Sequence, residues 1–289
     1  MAVHGIDISQ WQGYNVDFKK IKAAGVKFVM LRAGYGRYIS QKDPTFEGNY
    51  ARAKAAGLDV GVYWYSYAMN ASEAKAEAET CIEAIKGKKF EYPIFFDLEE
   101  GKQFALGKNV CSAMVEAFCD RLEKAGYFAG LYMSRSPLTQ YITPNVQKKY
   151  TLWVAEYGSK CNYGGSIGIW QNSSTWKVAG INGNVDHNYA YVDYPKIITE
   201  GGFNGFPKPK IEEKKTEQKK TDQKTESKTD QKKTDQKKTS DEKPKASEQN
   251  TKPLSEYERG DVNGDGKINI TDVVKLAAHI KGKKPLKTE

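Results

Sequence analysis

Residues 1–207 predict an α/β barrel of five βα units followed by three strands. Three observations carry this. Apolar strand-like runs alternate five times with helical runs. The phrases KAAGVKFV, KAAGLDVGV and KAGYFAGLY recur at helix-to-strand junctions, so one βα unit repeats. After residue 150 three strand-like runs follow without a long helix between them. Apolar strands that alternate with helices imply a parallel sheet covered by helices. Eight strands can close into a barrel, here lacking its last helices. An open doubly wound sheet is the alternative, yet no GxGxxG follows the first strand, which counts against a dinucleotide site.

The elements read in order as follows. VHGIDIS (3–9) is apolar and β-branched, a strand. VDFKKIKAAG (16–25) has helical spacing and ends in Gly. KFVMLRAG (27–34) is a strand, and FEGNYARAKAAG (46–57) a helix closed by Gly. DVGVYWYSY (59–67) is a strand. ASEAKAEAETCIEAIKG (71–87) is a helix with Ser72 as candidate N-cap and Gly87 after it. YPIFFDLE (92–99) is a strand, 109–126 a helix and FAGLYMS (128–134) a strand. TLWVAEY (151–157), IGIWQNS (167–173) and NVDHNYAYV (184–192) are strands joined by Gly-, Asn- and Ser-rich loops.

Composition divides the 289 residues into three zones. The net charge of +9 splits as +3 for 1–207, +5 for 208–253 and +1 for 254–289. Residues 208–253 hold 15 Lys, 10 Asp+Glu and only two aliphatic residues, Ile211 and Ala246. So little apolar surface cannot offset chain entropy, and this zone is expected to be a disordered Lys/Thr/Gln-rich linker. Residues 254–289 regain an apolar pattern, VVKLAAHI, and form a small α-helical module. No run of about 18 apolar residues spans a membrane. The start, MAVHGIDIS, is not a signal peptide. Basic residues do not cluster with aromatics on any element of 1–207, so no nucleic-acid partner is expected. The four cysteines, Cys81, Cys111, Cys119 and Cys161, follow no metal pattern and read as reduced and structural.

In a parallel barrel, chemistry sits at the C-terminal strand ends. The first strand ends in Asp7, the fourth in Asp97-Leu98-Glu99-Glu100, and the eighth carries Asp186. Side chains alternate along a strand, so Asp97 and Glu99 share a face, roughly 7 Å apart at Cβ. They follow the buried-strand run Ile94-Phe95-Phe96, where an acidic pair is costly without a purpose. Two close carboxylates raise each other's pKa, which favours one protonated and one ionised group near neutral pH. General-acid cleavage of an acetal needs that arrangement. Glu100 is expected to point away and be exposed. Aromatic residues gather at the same ends: Tyr63, Trp64 and Tyr65, then Tyr132, Trp153, Tyr157 and Trp170. Their faces suit pyranose rings, so Tyr63, Tyr65, Tyr132, Trp153, Tyr157 and Trp170 are the candidate substrate contacts.

These segments carry a resemblance. GIDISQWQG, VGVYWYSY, FFDLE, LWVAEY, IWQNS and NVDHN, in this order and spacing, resemble the family 25 glycoside hydrolases, the Chalaropsis-type lysozymes. The resemblance implies a TIM-like (β/α)5(β)3 barrel. It implies hydrolysis, with retention, of the β-1,4 bond between N-acetylmuramic acid and N-acetylglucosamine in bacterial peptidoglycan. No cofactor takes part. It makes Glu99 the general acid and later base, Asp97 the residue that orients the substrate acetamido group, and Asp7 and Asp186 the other acids of the cleft. It leaves open whether the acetamido group or Asp7 is the nucleophile. Trp64 departs from the family, which more often has His, and is expected to alter a subsite. The barrel is expected to act as a monomer, outside the cell or at the cell wall. A non-catalytic wall-binding protein and a chitinase are the rivals. The second would need Asp at position 95, where Phe95 stands.

The last zone holds a second motif. Asp261, Asn263, Asp265, Asn269 and Asp272 fall at positions 1, 3, 5, 9 and 12 of a loop with Gly266 at position 6. This is the spacing of hard oxygen ligands for Ca2+, with Lys267 giving its backbone carbonyl. The segment resembles a single dockerin type I repeat, which implies a cohesin-bearing scaffold or surface protein as partner. A dockerin normally has two such repeats, and one is visible here.

Overall fold

The computed structural model describes residues 2–208. The expected linker beyond Lys208 and the expected calcium module, with Asp261, Asn263, Asp265, Lys267, Asn269 and Asp272, lie outside the described residues. The elements in chain order are β1 (Val3–Ile8), α1 (Phe18–Ala23), β2 (Phe28–Tyr35), α2 (Phe46–Ala55), β3 (Asp59–Tyr65) and α3 (Ala71–Ile85). Next come β4 (Ile94–Asp97), α4 (Gly101–Phe104), α5 (Lys108–Lys124), β5 (Ala129–Ser134), α6 (Arg135–Tyr141) and α7 (Pro144–Lys149). The last are β6 (Thr151–Ala155), β7 (Ile169–Trp176), β8 (Val185–Ala190) and α8 (Tyr194–Gly201).

The strands close into a barrel in the order β1 to β8. From β1 to β7 each strand pairs in parallel with the next. β8 corrects the expectation of a parallel sheet, because it runs antiparallel to both β7 and β1. The reason is the connection. Residues 177–184 are too few for a crossover, which takes a dozen or more residues, so β8 can only return as a hairpin.

Local chemistry starts and stops the helices. Asp17 caps α1, its carboxylate accepting from the backbone N–H of Lys19 and Lys20, each at 3.1 Å. Asn70, not Ser72, caps α3, accepting from the Glu73 N–H at 3.0 Å. Ser72 lies inside the helix. The recurring KAAG and KAG junctions place Gly25, Gly57 and Gly126 just past α1, α2 and α5, with φ of 95°, 74° and 87°. That left-handed exit is the reason the repeat ends in glycine.

Alternation along the strands sorts the side chains into two cores. Outward residues such as Val29, Leu31, Val60, Val62, Phe96 and Leu131 pack under the helices. Inward residues such as Phe28, Met30, Phe95, Tyr132, Trp153 and Ile169 fill the barrel. Small residues make room for these rings. A Cβ at Gly130 would sit 2.5 Å from the Phe95 ring and 2.7 Å from the Thr151 carbonyl. At the strand starts, α8 sets Tyr194 against Tyr92 and Phe128, so that end of the barrel is closed by packed rings. The other end is polar and open.

Candidate active site

The open end holds a cleft of about 190 Å³, lined in part by Asp7, Arg32, Asp97, Glu99, Gln171 and Asp186. Each is brought there by alternation. Asp97 and Glu99 continue the inward face of Phe95 on β4. Asp7 follows Gly5 on β1, and Arg32 follows Phe28 and Met30 on β2. Gln171 follows Ile169 on β7.

The four carboxylates form two pairs. Asp7 and Asp186 stand directly opposite each other in the β1–β8 register. Asp97 and Glu99 are two residues apart at the end of β4. Burial pushes the Asp97 carboxyl well above the usual range, and the Glu99 charge adds to this. Burial also pushes Asp7 well up, with Asp186 as the second cause. Glu99 and Asp186 are raised as well, first by enclosure in the cleft. Asp97 is 3 % exposed and Asp7 5 %, whereas Glu99 opens to solvent at the cleft mouth. Each pair therefore retains a proton at higher pH than an isolated carboxylate would. Of the β4 pair, Glu99 is the member a ligand meets first. The Oδ1 of Asp97 is buried and has no hydrogen-bond partner among the described residues.

Asp7 is held from two sides. Its Oδ2 accepts from Gln171 Nε2 at 2.9 Å and from Asn188 Nδ2 at 2.7 Å. Each amide is fixed in turn by an aromatic donor. Tyr132 O–H donates to Gln171 Oε1 at 2.9 Å, and Trp153 N–H donates to Asn188 Oδ1 at 2.8 Å. The inward rings are thus not only walls, because they orient the amides that orient Asp7. We predict that Gln171→Leu lowers kcat/KM about 10- to 100-fold. This is the effect of losing one hydrogen bond to a charged group, about 1.5–3 kcal/mol. A pH–rate series on the variant checks it. The Asp7 titration should move further upward, because one of its two downward influences is gone.

The aromatic candidates divide. Tyr63, Tyr65, Tyr132 and Trp153 line the cleft. Tyr157 stands at its rim, O–H to Gln171 Oε1 at 3.3 Å, and burial raises its hydroxyl to about 12. Trp170 is not brought to the cleft. It faces outward on β7, ring against Tyr189, with its N–H on the Glu156 carbonyl at 2.8 Å. Alternation explains this, since Gln171 is the inward neighbour. Trp64 is displaced for the same reason. It is fully buried on the outer face of β3, donating to the Gly36 carbonyl at 2.9 Å, and does not line the cleft. Glu100 points away from the pair as expected. It is half-buried rather than exposed, because Tyr65 O–H donates to it at 2.8 Å.

Four contributors were not among the sequence candidates. Gln171 and Asn188 share the inward face with Ile169 and Asp186, which alternation alone could have revealed. Arg32 was signalled by its isolation in the apolar run FVMLRAG. Its Nε donates to the buried Asp43 at 2.8 Å, and its Nη2 has no partner among the described residues. Trp11 lines the cleft and is 79 % exposed, on a short turn (Gln10–Gln12) capped by Ser9. An exposed Trp held by a capped turn is a flat face open to a ring. Among the described residues no group of three or more His, Cys, Asp and Glu is arranged to hold a metal ion. None of their helices is long and apolar enough to cross a membrane.

A closed eight-stranded barrel with paired carboxylates and aromatic walls at one mouth defines a class, the barrel glycoside hydrolases. The chain belongs to the glycosyl hydrolases family 25, whose family model matches residues 6–181. It is 34% identical over 185 residues to the autolytic lysozyme of Clostridium acetobutylicum, covering 63% of this chain and 54% of that protein. Over 207 residues it is 27% identical to lysozyme M1 of Streptomyces globisporus, covering 65% and 67%. Among solved structures, the modular autolysin LytC from Streptococcus pneumoniae is 28% identical with a TM-score of 0.58. That match covers 66% of this chain and 47% of LytC. The lysozyme from Streptomyces coelicolor is 26% identical with a TM-score of 0.56, covering 66% of this chain and 93% of that one. The chain thus spans about half the length of the clostridial and pneumococcal relatives.

Proposed function

We propose that the barrel is an N-acetylmuramidase that cleaves the β-1,4 bond between N-acetylmuramic acid and N-acetylglucosamine in bacterial peptidoglycan. The single observation that carries this is the Asp97–Glu99 pair at the mouth of β4, facing Asp7 and Asp186 across an aromatic-lined cleft. The relatives add support: two are named lysozymes, and LytC has been solved with a synthetic peptidoglycan ligand.

The mechanism follows from exposure and charge. Glu99 is the group open to the cleft, so it delivers the shared proton to the leaving glycosidic oxygen. Asp97, deeper and with a free oxygen, accepts from the N–H of the 2-acetamido group and orients its carbonyl toward the anomeric carbon. The bond to the leaving oxygen breaks as the new bond to the anomeric carbon forms. Glu99, now ionised, takes a proton from water, which attacks the same carbon, breaks its bond to the acetamido oxygen and restores its configuration. Asp7, held by Gln171 and Asn188, stabilises positive charge at the anomeric centre, or is itself the nucleophile in the alternative route. Trp11, Tyr63 and Tyr65 bound the sugar faces. No cofactor is needed.

In the C-terminal zone, Asp261, Asn263, Asp265, the Lys267 carbonyl, Asn269 and Asp272 bind Ca2+, and the module docks on a cohesin-bearing partner. The loop spacing supports this reading. The place of action is extracellular or at the cell wall.

The test is digestion of purified peptidoglycan by the full chain, with identification of the new reducing ends. Muramic acid ends are the expected product. Glucosamine ends would make the enzyme a glucosaminidase. Binding without new ends would make the barrel a recognition module.

A further inference from the structure

The segment that presents Glu99 is pinned on both sides by one buried carboxamide and the loop it grips. Gln103, on α4, is fully buried. Its Oε1 accepts from the Glu100 N–H at 3.0 Å. Its Nε2 donates toward the Ala68 carbonyl at 2.8 Å, the Ser66 hydroxyl at 3.2 Å and the Ser66 carbonyl at 3.3 Å. Ser66, also fully buried, closes the circuit. Its N–H donates to the Asp97 carbonyl at 2.9 Å. Gln103 thus ties the backbone after β3 to the residue that follows Glu99, and the Ser66 N–H ties the same loop to Asp97. Leu98, between the pair, is buried and donates to the Tyr132 carbonyl at 3.3 Å. Glu99 is the exposed residue on a stretch whose neighbours are all held. The tie extends outward. Glu77 on α3 is buried and accepts from the Tyr67 N–H at 2.8 Å, holding the same loop from behind.

The chemistry explains why the residue is Gln. The site needs one acceptor for Glu100 and donors for Ser66 and Ala68, and a primary carboxamide supplies both. A carboxylate of the same shape would face two carbonyls with no proton to give. A core made only of apolar side chains would leave the Glu100 N–H buried and unpaired.

We propose that Gln103 is a positioning residue for the general acid, fixing Glu99 against Asp97 through the Ser66–Ala68 loop. The proposal rests on the muramidase reading for its kinetic consequence, because only a proton transfer makes sub-ångström placement of Glu99 matter. Gln103 touches no substrate. Its loss should therefore act on turnover and on the titration of the pair, and leave binding alone.

The test uses the full chain and three substitutions: Gln103→Met, Ser66→Ala, and Ile198→Val at the opposite end of the barrel. Gln103→Met is expected to lower kcat about 10- to 100-fold with KM within about twofold, the scale of misplacing a reacting group by about 1 Å. Ser66→Ala removes the hydroxyl that accepts from Gln103 and from the Ala68 N–H but keeps the Ser66 N–H on the Asp97 carbonyl and the Gln103 bond to the Ala68 carbonyl, and should give a smaller loss in the same direction. Ile198→Val controls for stability: its melting temperature falls while its kcat stays at the parent value. The second readout is a carboxyl 13C titration of Glu99. The groups facing Glu99 are Asp97 and Glu100 on its own segment, Asp7, Arg32, Tyr63 and Tyr65, Tyr132, and Asp186, and all remain in each variant. Loosening the segment lets Glu99 swing out of the cleft, away from its enclosing walls and from Asp186, so its pKa should fall in Gln103→Met toward the ordinary glutamate value. The alkaline limb of the rate profile should then move to lower pH. A Gln103→Met protein with parental kcat and parental Glu99 titration, whatever its melting temperature, would overturn the proposal. Should the parent cleave no muramic glycan, the muramidase reading fails separately. The titration then decides: a shifted Glu99 upholds the positioning role and an unmoved one ends it.

Discussion

Glu99→Gln is expected to reduce kcat on peptidoglycan by about 10²- to 10⁴-fold, the range contributed by a positioned general acid. The fold should be unaffected, because Glu99 lies at the solvent edge of the cleft and supports no core contact. The substitution keeps the shape and hydrogen-bonding length of the side chain. It removes the proton that the leaving oxygen needs and the carboxylate that later activates water. Binding should therefore survive. Asp97, relieved of the Glu99 charge that helps to raise it, should titrate lower. Steady-state rates with soluble glycan strands, together with a binding isotherm, separate the two effects. Loss of binding equal to the loss of rate would mean that Glu99 is a contact residue and not the acid.

Asp97→Asn is expected to have opposite effects on activity and stability. Turnover should fall about 10²- to 10³-fold, the effect of removing one group that stabilises charge in a transition state. The melting temperature near pH 7 should rise. Asp97 is buried, one of its oxygens has no partner, and its folded pKa lies well above that of the unfolded chain. For such a group the folded state holds its proton more tightly than the unfolded state. Its stabilising influence is therefore complete below the unfolded pKa and is lost as pH climbs to the folded one. Above that range the native site carries a buried charge that Asn does not. The expected gain is about 0.5–2 kcal/mol, or several degrees for a domain of this size. It should shrink as the pH is brought down toward 4. Scanning calorimetry of the two proteins across that range checks it. A pH-independent difference, or a loss, would show that the carboxylate is not strained by burial in the folded state. A gain that shrinks with falling pH would mean that activity depends on a group the fold tolerates at a cost, which is usual where a site is built before its ligand arrives.

Much of this was legible in the chain. The run Ile94-Phe95-Phe96-Asp97-Leu98-Glu99 states its own geometry, because a period of two puts both acids on one face and the preceding apolar run buries that face. The KAAG junctions marked the βα repeat for a local reason, since the residue after each helix must take a left-handed conformation. Other features depended on knowing which face of a strand turns inward. Trp170 and Trp64 looked like cleft residues by position at a strand end, and both lie outside, one residue out of phase with Gln171 and Tyr63. The helix start at Asn70 rather than Ser72 was a local competition between two capping residues, and the one whose carboxamide reached the Glu73 N–H prevailed.

Asp186 shows where the sequence stops. It sits at the beginning of its strand, not the end, and a wholly parallel barrel would have put it at the closed floor among the rings of Tyr92 and Tyr194. It reaches the cleft because β8 comes back antiparallel, which sets it opposite Asp7 and completes the second carboxylate pair. The chain by itself determined its family, the barrel's strand count and the acids of β4, because those follow from periodicities of two and 3.6 residues and from motifs contiguous in sequence. Only the tertiary structure decided which acids meet, which amides hold Asp7, and that Gln103 grips the stretch bearing Glu99. Apart from the Gln103–Glu100 bond, a local capping contact three residues apart, those join residues 31 to 181 positions apart, and no local pattern encodes them.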